Sequence, residues 1–375
     1  MQSPENYPQG GDALRPNWPW LVNGVICFAA FALVLFIYIC HSVTPVQVLA
    51  GVFLLPALAK VLIGPLVELA IGRRHGIRMT AVQAGPLCWT REEGRMRFHL
   101  SQSIRFRCAV SPPDRPELES PHIAVLHRLS GAISALAGTI LCFLAALLAR
   151  GTPACAAFSI GAILCFLACS CDALPRWADA SNSMDNAGAD AWTLARNPDA
   201  RRAYWIRLKV DERLAQGMRL REMPGEWFAL PDENALGESL IANLGTLACQ
   251  RLMDAQQFDR ASVQMRQLLS VPSALNDEQR DRMFRDLIVC ELLAGHYDAA
   301  AQLRRDTRAL SGAGKNTLSR LRARYAWAKL GEGNARKSAK LRAKFDRRAR
   351  WSALPGEAAS ERALMAVVDA RAARD

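Results

Sequence analysis

Four apolar stretches, 21–40, 46–71, 129–149 and 154–171, constrain this 375-residue chain more than any other feature. Three carry no charge, and the second carries only Lys60 and Glu68. A helix needs roughly 20 such residues to cross a bilayer. Lipid offers the backbone no hydrogen bonds, so runs of this length can satisfy their own N–H and C=O groups only as helices. The expected fold is therefore mainly α, a four-span transmembrane bundle. Trp18 and Trp20 stand before the first run, where indole rings suit the headgroup layer. Residues 1–17 are polar, rich in Pro and Gly, and lack the charged start and cleavage site of a secretory signal, which predicts a flexible tail.

Charge orients the bundle. Residues 73–128 hold ten arginines against five acidic residues, whereas the short loops on the other side hold only Arg150. The positive-inside rule places the 73–128 loop and both termini in the cytoplasm, with the bacterial inner membrane as the expected address. The net charge of +12 needs no nucleic acid to explain it. Within that loop, 79–89 and 95–110 alternate as strands do (Met96, Phe98 and Leu100 against Arg95, Arg97 and His99), with Glu92-Glu93-Gly94 as a turn. A small cytoplasmic β-hairpin follows. In the second span, Pro56 and Gly64-Pro65 should kink or unwind the helix, which then has to face the bundle interior. In the third, Gly131 with Ala135 and Ser134 with Gly138 put small residues four apart, as close helix packing in lipid requires. The eleven cysteines form no CxxC pair and no disulfide framework.

After the spans the composition changes. The domain boundaries read as a tail 1–17, a membrane domain 18–192, an irregular linker 193–234 and a cytoplasmic α-helical repeat domain 235–375. In the last, Asp254 to Ala261, Leu293 to Ala300 and Leu330 to Ala335 echo one another, with offsets of 39 from Phe258 to Tyr297 and 36 from Tyr297 to Gly333. That period predicts stacked helix-turn-helix units, and the phrase resembles the tetratricopeptide turn. Gly312 to Thr317 has the look of a phosphate loop, but Ala309 stands at the first glycine position, Asn316 at the hydroxyl position, and no strand precedes it, so a helix–helix turn is expected. The Arg-rich stretch 336–350 lacks interleaved aromatics and reads as a solvated face or a contact for anionic headgroups rather than nucleic acid.

From Leu54 to about Trp192 the landmarks Gly76-Ile77-Arg78, Gly85-Pro86-Leu87, Gly131 to Leu136, and Asp172-Ala173-Leu174-Pro175 followed by Ser183-Met184-Asp185-Asn186 stand in a fixed order. In this order the chain resembles the site-2 protease family of intramembrane zinc metallopeptidases. The resemblance implies an HExxH helix in the second span and an Asp-bearing segment supplying the third zinc ligand. Counting back from Gly76, the HExxH positions fall on Gly64, Pro65, Leu66, Val67 and Glu68, so both histidines and the catalytic Glu are missing. No histidine begins an HExxH anywhere, and His122 and His127 are five apart, off the one-turn spacing of a helical ligand pair. Gly64, Pro65, Glu68 and Asp185 are thus degenerate motif positions, with no catalytic residue and no metal ligand expected.

The function expected on these grounds is a catalytically inactive, protease-like membrane scaffold or adaptor. It would contact membrane lipid and bind a cytoplasmic or membrane protein partner through the helical repeats, with no nucleic acid and no cofactor. One alternative is a divergent active metallopeptidase, for which zinc would be the cofactor and Glu68 and Asp185 the ligands. Another is a membrane-anchored repeat adaptor without protease ancestry.

Overall fold

The computed structural model describes residues 18–40, 43–92, 95–111, 120–177, 185–230, 233–270, 274–307, 317–352 and 354–374. The tail 1–17, the turn residues Glu93 and Gly94, the landmark residues Ser183 and Met184, and Gly312 to Asn316 lie outside them. The chain divides into two compact units, one of Ala13–His99 and Ser103–Trp205 and the other built on Ile206–Asp375.

The first unit holds α1 (Trp18–Cys40), α2 (Pro45–His75), β1 (Arg78–Glu92), β2 (Arg95–Ser111), α3 (Pro121–Arg128), α4 (Ser130–Leu148), α5 (Ala154–Ala173), α6 (Ala187–Arg196) and the start of α7 (Pro198–Ala215). Helices α1, α2, α4 and α5 are long and apolar enough to cross a membrane. Their outward faces are bare hydrocarbon: Val25, Phe28, Phe31 and Ile39 on α1 are all more than two-thirds exposed. Such a surface is stable against lipid and not against water. Strands β1 and β2 pair as a two-stranded sheet, with Trp89 and Phe98 in ring contact.

Inside the bundle α4 packs along α5, and α2 lies against both. Close approach depends on glycines. A Cβ on Gly51 of α2 would sit 2.8 Å from Ile160 of α5, one on Gly161 of α5 would sit 2.7 Å from Leu55 of α2, and one on Gly138 of α4 would sit 2.8 Å from Ala59 of α2. The face of α4 turned inward is Ser130, Ser134, Gly138, Cys142 and Ala146. It contains the expected Ser134 and Gly138 pair, whereas Gly131 is exposed and Ala135 only half-buried.

Helix α2 does not unwind at its prolines. It widens into two π turns, Ala50–Leu54 and Ala59–Ile63, each followed by an α segment whose second residue is a proline, Pro56 or Pro65. The extra residue in each π turn moves the carbonyl that the ring would strike and takes up the hydrogen bond that proline cannot donate. Gly76 then stops the helix in the left-handed conformation (φ 73°), and Ile77 is buried with its carbonyl folded against Gly72, where a Cβ would sit 2.3 Å from it. Gly76-Ile77-Arg78 is therefore a helix stop with an apolar lock, whatever its ancestry.

The stretch expected as a linker, 193–234, contains the end of α6, the whole of α7 and two 3-10 turns, Leu220–Glu222 and Gly225–Phe228. The second unit continues with α8 (Ser239–Asp254), α9 (Phe258–Ser270), α10 (Asp277–Ala294), α11 (Tyr297–Thr307), α12 (Leu318–Ala326, extended by a π turn Trp327–Gly331), α13 (Ala335–Ala349) and α14 (Pro355–Ala372). Helices pack pairwise across short turns, α8 on α9, α10 on α11 and α12 on α13, and α14 returns to touch α12 and α8. A linear stack would lack that last contact. Each paired turn carries one left-handed residue, Gln256 (φ 59°), Gly295 (φ 85°) or Gly333 (φ 60°), and five residues later a buried small one, Ala261, Ala300 or Ser338. The offsets are thus 39 and 38, and the position equivalent to Phe258 and Tyr297 is Ala335, not Gly333. Ala300 is fully buried. Replacing it with Leu should lower the stability of this unit by about 1–3 kcal/mol through overpacking, read as a fall in its thermal unfolding midpoint.

Candidate functional site

The polar centre of the first unit starts from Glu68, one turn beyond Gly64 and Pro65 on the last stretch of α2. Its side chain is only 12% exposed. A carboxylate in a span must find hydrogen-bond donors or bear a large desolvation cost, and Glu68 finds one donor and one polar neighbour. Ser130, the first residue of α4, donates its hydroxyl to Oε1, and His127 Nε2 lies 3.3 Å from Oε2. Arg73, a possible partner by position in sequence, is exposed.

His127 comes from α3, a short helix started by Ser120, whose hydroxyl accepts the Ile123 N–H. On its other side His127 Nδ1 is 2.5 Å from the hydroxyl of Tyr204 on α7. The ring also packs against Tyr204 and Trp205, which pack on each other with centroids 5.5 Å apart. Burial depresses His127 to about 4, and the adjacent Arg128 pushes the same way. Burial raises the Tyr204 phenol. At neutral pH the imidazole is uncharged and the phenol keeps its proton, which assigns the direction of the chain. Tyr204 donates to Nδ1 and Ser130 donates to Glu68 Oε1, while Nε2 lies beside Oε2, which accepts no hydrogen bond among the described residues. Beside it Arg128 grips Asp190 of α6, with Nε at 2.7 Å and Nη2 at 2.6 Å from one oxygen.

These side chains join α2, α3, α4, α6 and α7 around one carboxylate. The order of groups decides what they can do. A serine–histidine–carboxylate triad needs the imidazole between the hydroxyl and the carboxylate. Here the carboxylate stands between Ser130 and His127, so the imidazole does not face the hydroxyl. Ser130 donates its hydroxyl hydrogen bond directly to the Glu68 carboxylate, with no imidazole between them.

None of the other motif positions is a hydrogen-bond or ion-pair partner of Glu68. Gly64 faces Ser134, whose hydroxyl would lie 4.0 Å from a Cβ placed there, and that hydroxyl is turned back to the Ser130 carbonyl. Pro65 opens the α segment after the second π turn. Asp185 is half-buried just ahead of α6 and is not among the partners of Glu68. Its neighbour Asn186 does the structural work there. The Asn186 side chain caps α6 by accepting the Ala189 N–H, and donates to the carbonyls of Cys171 and Leu174 at the end of α5. Among the described residues no three His, Cys, Asp or Glu side chains gather as a metal-ligand set.

Sequence reading missed His127, Arg128, Ser130, Asp190 and Tyr204. One signal was present: an acidic residue near the end of span two and a His-Arg-x-Ser run at the mouth of span three sit at the same depth of neighbouring antiparallel helices. Nothing pointed to Asp190 or Tyr204, which lie 62 and 77 residues from their partners. No protein-family model matches the chain, and neither a curated protein nor a solved structure matches it.

Proposed function

We propose that this protein is a multi-pass membrane scaffold without peptidase chemistry, whose helices from α8 onward bind a protein partner. The observation that carries the reading is the state of Glu68. One of its oxygens accepts the Ser130 hydroxyl and the other lies 3.3 Å from His127 Nε2, and the positions where a site-2 protease would hold its first histidine and its catalytic Glu are Gly64 and Pro65. A zinc site with an open water position needs three side-chain ligands and a base toward that water. Two carboxylates alone favour harder cations. In this reading the polar cluster is a clamp that ties α2 to α3, α4 and α7, and the landmarks it shares in order with the protease family mark descent with the chemistry lost. The arginines of 73–128 keep that loop, the β1–β2 hairpin and both termini in the cytoplasm of a bacterial inner membrane. No cofactor is required.

The test is metal content combined with substitution. Protein purified from zinc-replete cells is expected to hold substoichiometric zinc. Glu68→Gln and Asp185→Asn are expected to leave the cellular role intact, while deletion of α8 to α14 abolishes it. Stoichiometric zinc that Glu68→Gln removes would overturn the proposal in favour of a divergent metallopeptidase.

A further inference from the structure

Helix α13 presents two faces of opposite character. Ser338, Leu341, Phe345 and Ala349, spaced three and four apart, are buried. On the far side Arg336, Lys340, Lys344 and Arg347 are exposed and follow one another at helical spacing, and Trp351, half exposed, extends the line just past the helix end. Two other cations of this helix are matched: Lys337 pairs with Glu332 at 2.7 Å, and Arg342 with Asp346 and Asp369, while Arg348 near the helix end is half-buried. Among the described residues none of the four cations in the stripe has a carboxylate partner. So the helix pairs Lys337 and Arg342 with carboxylates and leaves the outward row bare, with an indole at its end.

We propose that this row, Arg336, Lys340, Lys344, Arg347 and Trp351, docks on the anionic headgroups of the membrane that the same chain spans. Three considerations favour lipid as the occupant. A row of point charges on a rigid helix fits a charged plane, and lysine and arginine near an anionic leaflet are each attracted to it. An exposed tryptophan beside such a row has the amphipathic ring that partitions to the headgroup layer. The four candidate spans belong to the same polypeptide, so the leaflet is present at high effective concentration and weak contacts suffice. Nucleic acid would prefer aromatics interleaved with the cations to stack on bases, and the only aromatic between 336 and 350 is Phe345, which is buried. The inference is independent of whether the membrane half descends from a protease.

The experiment is amine footprinting of the full chain in nanodiscs, with a water-soluble acylating reagent and peptide mass spectrometry. Discs of phosphatidylcholine alone are compared with discs containing phosphatidylglycerol, and Lys209 and Lys329 on the same unit serve as references. Each cation near an anionic leaflet favours the docked state by roughly five-fold, so labelling of Lys340 and Lys344 should fall by about that factor or more in the anionic discs. It should recover in R336E/R347E, which keeps both reporter lysines and touches no buried contact, and in high salt. Equal labelling in the two lipids would overturn the proposal. So would protection that persists in R336E/R347E, or protection by single-stranded RNA in neutral discs where anionic lipid gives none.

Discussion

Arg322→Met should destabilise the second unit by about 3–5 kcal/mol, the range seen when one partner of a buried ion pair is removed. The Arg322 side chain is 1% exposed and is the hub of three helices. From α12 it gives Nη2 to Asp286 of α10 and Nε, at 2.5 Å, to Glu361 of α14. Both carboxylates are as deeply buried as the arginine. Arg282 of α10 is a second, looser cation, 3.5 Å from Glu361 and 3.4 Å from Glu357. Burial pushes Glu361 above its ordinary range while Arg322 and Arg282 pull it back. Take Arg322 away and Asp286 has lost its charge-assisted donor, while Glu361 keeps only Arg282. Arg322→Lys should recover part of the loss, because an ammonium reaches one carboxylate and cannot fork between two. Adding Asp286→Asn and Glu361→Gln to Arg322→Met should restore most of it, since the residual cost is uncompensated charge. The readout is the denaturant midpoint of this unit. A loss below about 1 kcal/mol for Arg322→Met, the size of an exposed pair, would show that the network is not what holds α14 in place.

Acid should weaken the first unit through His127. Its folded value of about 4 lies below the ordinary imidazole value of 6.5, so above pH 6.5 both folded and unfolded states leave it neutral and its contribution is fully present. As pH falls from 6.5 toward 4 the unfolded chain takes the proton first, and stability drops by about 1.4 kcal/mol per unit, to a total of about 3 kcal/mol. The groups facing the ring are Glu68, Trp205, the Tyr204 hydroxyl, and Arg128 with its partner Asp190. Because Glu68 faces the ring, the effect is measured as a difference. Wild type should lose thermal stability over this range by that amount more than His127→Gln, which keeps a neutral side chain of similar reach. Parallel curves for the two proteins would mean that the ring opens to water before it is protonated.

The four long apolar helices were legible because lipid leaves an apolar run of that length one secondary structure. The site was legible only at Glu68, whose charge stands out against its span. Its partners were not, since a buried carboxylate announces that it needs donors and does not say from where: Ser130 and His127 are near the mouth of another span, and Tyr204 is on a helix expected as linker. Of the kink or unwinding expected at the prolines of α2, the unwinding did not occur. Single-residue rules foresee a break at Pro56 and Pro65, but in a bundle where Gly51, Leu55 and Ala59 must keep their seats on α4 and α5, a widened turn conserves both packing and hydrogen bonds. In the second unit the recurring phrase was visible, while its register became clear only from the left-handed residues at Gln256, Gly295 and Gly333.

Those two widened turns also make α2 a screw with two threads of slack. Each holds one residue more than an α turn would, and a residue advances an α-helix by about 100° about its axis. Tightening the second turn would swing everything downstream by that angle, carrying Glu68 away from Ser130 and His127 while the upstream seats at Gly51 and Leu55 stay put. The place of the central carboxylate is therefore set by counting, and a single-residue deletion between Ala50 and Ile63 would dismantle the cluster without touching any of its members.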